Sequence, residues 1–189
     1  MSFFLILLPF LVLSTLNWLL PITISLFIAA AVSIALIVFE RTRGQSAKVL
    51  NISAAVIFSG LGLIMLLIDG AWSGATVRMT IDVALLCVVL ISIAIRLPFT
   101  LQYAREQVAP EVRAMPEFIR TNYVLTWAWV GAFVLMLVAD MVSVWWPSAP
   151  LWIGVIVAFA ARNAAVQFTK WYAQRARDRA NAATANTGV

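Results

Sequence analysis

The chain has 189 residues, of which 63% are hydrophobic and 11% charged, with a net charge of +5 and no histidine. Soluble domains carry roughly 25% charged residues, so this chain has too few to cover a water-facing surface. Its apolar residues also run in long blocks, unlike the alternating strands of a transmembrane β-barrel.

No residue from Met1 to Phe39 is charged. One helix of that length would reach roughly 58 Å at about 1.5 Å per residue, nearly twice the hydrocarbon core. The stretch therefore turns, and Asn17-Trp18 followed by Pro21 marks the place: Asn favours turns, Trp sits at the lipid–water interface, and Pro opens helices. This predicts a first span over 3–19 and a second over 21–39. No Lys or Arg precedes the first, so a span is expected there and not a secretory leader. Further spans are predicted over 49–68, 79–97, 123–146 and 149–171. The expected fold is all-α: a single transmembrane helical bundle over 1–175, with about six spans in three hairpins, then a disordered cytoplasmic tail over 176–189.

Charge sets the orientation. Arg41, Arg43 and Lys48 follow the second span; Arg96, Arg105, Arg113 and Arg120 follow the fourth; Arg162, Lys170, Arg175, Arg177 and Arg179 close the sixth. Only Arg78 falls on the other side. The positive-inside rule then puts both termini in the cytoplasm of a bacterial inner membrane. The net positive charge reads as topology and contact with anionic headgroups. No nucleic-acid partner is expected, because the charge is scattered and carries no recognition motif.

Close helix packing in lipid relies on small faces. Ser25, Ala29 and Ser33 form one in the second span, Asn51, Ala55, Ser59 and Gly62 another in the third, and Gly154, Ala158, Ala161 and Ala165 a third in the sixth. The fifth span is bulkier, with Trp127, Trp129 and Phe133, and is expected to present more lipid-facing or interfacial surface.

Candidate polar or coupling sites gather toward the outer side: Asp69, Arg78, Asp82 and Asp140. Arg78 and Asp82 are one helical turn apart and close enough to pair. Asp140 lies roughly 9 Å inside the level of Trp145 and Trp146, where a carboxylate needs a partner, water or a proton. On the cytoplasmic side, Arg162 and Asn163 stand well inside the interface marked by Trp171 and Tyr172. Asn163, Gln167, Lys170 and Gln174 share a face, either a snorkelling polar stripe or the wall of a cavity open to the cytoplasm.

The longest connection, 98–121, is punctuated by Pro98, Pro110 and Pro116 and mixes Phe99, Tyr103, Val112 and Phe118 with Arg105, Glu106 and Arg113. It reads as two short interfacial helices on the cytoplasmic leaflet. Phe99, Tyr103, Arg105, Glu106 and Arg113 are its candidate partner surface. Cys87 is the single cysteine, and there is no P-loop, no GxSxG and no histidine for a metal site. Neither an enzyme nor a cofactor or metal is expected.

Pro98 close behind the basic Arg96, Glu106 in the following loop, Asn122 opening the next helix, Trp127 or Trp129 with Phe133 inside it, and Pro9 in a short apolar first segment form one pattern. In these residues, over about a third of the chain, the sequence resembles the bacterial intracellular septation protein family of small polytopic inner-membrane proteins. The connection before Asn122 is longer here than that family's pattern. The resemblance implies a role near envelope growth and division through contacts with other membrane proteins, and it implies no catalytic residues. The leading expectation is a structural or interaction component whose partners are the lipid bilayer and other membrane proteins. The alternative is a small transporter or channel for an ion or small solute using Asp140 and Arg162.

Overall fold

The computed structural model describes residues 4–68, 72–146 and 151–186, and every regular element among them is helical. In chain order these are α1 (Phe4–Leu16), α2 (Ile22–Thr42), α3 (Val49–Leu67), α4 (Gly74–Ala94), α5 (Phe99–Arg105), α6 (Pro110–Arg113), α7 (Pro116–Trp145) and α8 (Leu151–Asn186). Five of them are long and apolar enough to cross a membrane: α2, α3, α4, α7 and the Trp152–Arg179 stretch of α8. The first segment falls short of that length, with 13 helical residues. α8 continues past the expected end of the sixth span, so residues 176–186 of the predicted tail are helical. Ala and Arg, both strong helix formers, dominate that stretch.

The chain divides into two compact units, Met1–Val88 and Val89–Val189, with the division inside α4. In the first, α1 and α3 both pack along α2. α1 ends at the predicted turn, where the Asn17 and Leu20 amides bond back to the Leu13 and Leu16 carbonyls at 3.0 and 2.8 Å and Pro21 then opens α2. α2 buries Ser25, Ala29 and Ser33, as its small face predicts, together with Leu26, Leu36 and Glu40. The opposing face of α3 is Asn51, Ala54, Phe58, Leu61 and Gly62, while Ala55 and Ser59 stand at its flank. Gly62 favours close approach, since a Cβ there would lie 3.1 Å from the Phe27 ring, which would have to shift slightly. Phe10 of α1 meets Phe58 edge to face, with centroids 5.3 Å apart.

α2 ends in a Schellman turn: the Gln45 amide bonds to the Glu40 carbonyl (2.9 Å), the Gly44 amide to that of Arg41 (3.0 Å), and Gly44 takes φ +69°. The end of α4 repeats this arrangement in the second unit. There Leu97 bonds to Ser92 (2.9 Å) and Arg96 to Ile93 (3.0 Å), but the left-handed position, φ 60°, is held by Arg96.

The second unit is built on the α7–α8 hairpin, with α5 and α6 packed on α7. Its register is fixed at two levels: Trp129 Nε1 donates to Thr169 Oγ1 at 3.1 Å, and Gly154 lies so close to Ser143 that a Cβ would sit 2.8 Å from its Oγ. The small face of α8 is accordingly turned to α7, with Gly154, Ala161, Ala165 and Thr169 buried. Trp127 is exposed, but Trp129 and Phe133 are core residues, not lipid-facing ones. Residues two apart on a helix point about 200° apart, so Trp127 and Trp129 cannot share a surface.

Candidate functional site

The exposed tryptophans of the hairpin define a slab. Trp127 and Trp145 are exposed near the two ends of the apolar part of α7, Trp152 and Trp171 near those of α8. Each pair is separated by roughly 27–28 Å at about 1.5 Å per residue, close to the thickness of a bilayer's hydrocarbon core. The register set by Trp129 and Thr169 places Trp127 level with Trp171, so both girdles coincide.

Polar groups can be located against this scale. Asp140 is 4% exposed and lies about 8 Å inside the level of Trp145. Arg162, half-buried, is about 13 Å from Trp171 and about 15 Å from Trp152, close to the middle of the slab. Snorkelling toward the C-terminal end of α8 would have to bring its head to the level of Trp171. A side chain reaching about 7 Å, on a Cα–Cβ bond tilted toward the helix N-terminus and so the opposite way, cannot cover that distance. Along the hairpin Asp140 and Arg162 differ in height by about 6 Å. Asn163, Gln167, Lys170 and Gln174 are all exposed, on the face of α8 opposite the one that packs on α7. The stripe therefore lines no cavity between these two helices.

In α4, Asp82 is 8% exposed and Arg78, one turn before it, is half-buried. Arg78, Asp82, Asp140 and Arg162 each have an interaction partner. Asp69 lies outside the described residues.

The candidate partner surface separates into two parts. Phe99 and Tyr103 are buried, with their rings edge to face at 6.4 Å, and Phe99 also meets Trp129 at 6.2 Å. Arg105 is half-buried, while Glu106 and Arg113 are exposed, Arg113 donating to the Val108 carbonyl at 3.3 Å. α5 is thus docked on α7 through its apolar side chains. Thr100 anchors it: its Oγ1 lies 2.8 Å from the Asn122 carbonyl and 2.7 Å from Thr126 Oγ1, which in turn donates to the same carbonyl at 2.9 Å. Ser92 Oγ accepts from the Phe99 amide at 3.3 Å and so caps the start of α5.

A second polar cluster was not anticipated. Glu40, Lys48 and Asn51 are 3%, 2% and 2% exposed. Glu40 Oε2 accepts from the Lys48 amide (3.2 Å), Oε1 accepts from Asn51 Nδ2 (3.0 Å), and Lys48 Nζ donates to the Ser46 carbonyl (3.1 Å). A carboxylate in the last turn of α2 opposes that helix's own dipole. It is favourable here because it reaches across the turn to the N-terminus of α3, where the dipole welcomes it. An acid at a helix C-terminus amid the basic Arg41, Arg43 and Lys48 is the signal for this cluster in the sequence.

Among the described residues no group of His, Cys, Asp and Glu is arranged to hold a metal ion. Comparison with protein-family models, with curated proteins and with solved structures finds no match. The fold and the exposed aromatic girdles are those of an α-helical chain suited to a membrane.

Proposed function

We propose that this is a multi-pass protein of a bacterial inner membrane that works as a structural or interaction component, with α1 as a sixth span and both termini cytoplasmic. One observation carries the reading. Inside each unit, polar side chains tie helix to helix, as Glu40 does to Asn51, Thr100 to Thr126 and Trp129 to Thr169. The polar side chains of α8 that do not pack inward are instead displayed outward. The resemblance to the septation family adds envelope growth and division as the setting. Orientation is tested by placing single cysteines at Ser46 and Ser73 in a Cys87→Ser background. In intact cells an impermeant thiol reagent should modify the Ser73 variant and spare the Ser46 variant; the reverse pattern refutes the orientation.

The transporter reading is kept by Asp140 and Arg162, since ionisable side chains at such depths often mark ion or substrate pathways even where they are paired. Reconstituted vesicles separate the two. Flux of protons or small ions that vanishes in Asp140→Asn while the protein stays folded would displace the interaction reading. Absence of flux in the wild type would support it.

A further inference from the structure

The outward face of α8 has a pattern of its own. Ile153, Ile156, Ala160, Asn163, Gln167 and Lys170 are all exposed, and the series continues through Gln174 and Arg177. The steps alternate three and four residues without a break, which is the heptad seam of a left-handed coiled coil. Its outer half is apolar, and its inner half carries two carboxamides, Asn163 about 12 Å and Gln167 about 6 Å inside the level of Trp171. Asn163 Nδ2 bonds back to the Phe159 carbonyl at 2.8 Å, so its own helix occupies that donor, and the side chain still faces outward. Carboxamides facing hydrocarbon are costly, because lipid offers neither donors nor acceptors.

We propose that this seam pairs with the same seam of a second copy, through a two-fold axis along the membrane normal. This rests on the membrane-spanning reading of α8. Two observations select a second copy over another occupant. A carboxamide is both donor and acceptor, so Gln167 is complementary to Gln167 of an identical helix, and Asn163 to Asn163, without any further chemistry. Copies inserted in one orientation bring their α8 helices together parallel and in register, so that each seam residue meets its own counterpart. A polar residue at a single seam position is also the device that fixes register in such pairs. Lys170 stands one residue from Trp171, at headgroup level, where anionic lipid phosphates offset the repulsion between two such side chains.

The test uses the full chain with Cys87→Ser in vesicles of phosphatidylethanolamine and phosphatidylglycerol. Ile156→Cys and Ala160→Cys should cross-link between copies on oxidation, and Val155→Cys, exposed but off the seam, should not. Gln167→Leu should weaken the pair about tenfold by fluorescence energy transfer between labelled copies, and adding Asn163→Leu should weaken it further. Both side chains are exposed, so these changes leave the fold intact, which circular dichroism checks. A monomer at every protein-to-lipid ratio overturns the proposal, as does equal cross-linking at Val155→Cys. Reaction of Ala160→Cys with an impermeant aqueous reagent would show that α8 does not span. That result refutes the membrane reading itself, and the pairing with it.

Discussion

Glu40 offers the sharpest test, because two views of it predict opposite signs. As a free acid in the last turn of α2 it would oppose the helix dipole, and removing it would stabilise the protein by about 0.5 kcal/mol. As the group that holds α3, it accepts from the Lys48 amide and from Asn51 Nδ2 at 3.2 and 3.0 Å while 3% exposed. Glu40→Ala then leaves two buried donors without an acceptor, at about 1–3 kcal/mol each, and removes a favourable charge from the α3 N-terminus. The expected loss is about 3–5 kcal/mol. Glu40→Gln keeps one acceptor but turns an NH2 toward the other donor, for a loss of about 2 kcal/mol. Reversible unfolding in mixed detergent micelles, followed by tryptophan fluorescence, should rank wild type above Gln and Gln above Ala. Glu40→Ala combined with Asn51→Leu should recover part of the loss, because the orphaned amide leaves with its partner. A Glu40→Gln protein as stable as wild type, or more so, would refute this account of the turn.

Three further changes have signs that follow directly from local geometry. Arg96→Gly should stabilise the protein by about 1 kcal/mol in the same unfolding assay, because a side chain is removed from the left-handed position at φ 60°. Gly154→Ala should cost no more than about 1 kcal/mol, since the new Cβ meets Ser143 Oγ at 2.8 Å and that hydroxyl must rotate off the Ala139 carbonyl, partly offset by the better helix propensity of Ala. Most of that cost should disappear when Ser143→Ala is added. Thr100→Val should cost about 1–2 kcal/mol and speed hydrogen exchange at the α5 amides, while Thr126→Val, which leaves Thr100 on the Asn122 carbonyl, should cost less.

Five of the six expected spans were legible because they are properties of composition: long gaps between charges and aromatic residues at their ends. Faces were legible only in part. The stripe Asn51, Ala55, Ser59 steps by four residues and drifts about 40° per turn, whereas the buried face mixes steps of three and four and so arrives at Ala54, Phe58 and Leu61. The small face of α8 mixed its steps correctly and is the one that packs on α7. The bulk of Trp129 and Phe133 suggested lipid-facing surface because tryptophan's preference for interfaces outweighed its angle from Trp127. The connection between α4 and α7 looked like a surface element because charges are scattered through it. Its first helix is instead interior, since Phe99 and Thr100 supply a ring and a hydroxyl for α7. The buried Glu40 cluster depends on contacts across a turn, which a reading span by span does not assemble.

The two turns beside these clusters are built alike, and that explains why each unit coheres by itself. In both, a helix ends in a Schellman turn around a left-handed residue, Gly44 or Arg96. In both, the side chain at the position whose carbonyl closes the turn reaches forward to the next helix. Glu40 takes the amide of Lys48, and Ser92 takes the amide of Phe99. The same residue thus terminates one helix with its backbone and starts the next with its side chain. The register of successive helices is then set within about eight residues of chain, at little loop-closure cost. Glu40 makes the stronger connection because its carboxylate is charged and takes a second donor from Asn51. Ser92 contributes a single neutral bond, and α5 is held by Thr100 as well. Such turns do not depend on a partner, so the outward face of α8 remains available for contacts beyond the hairpin.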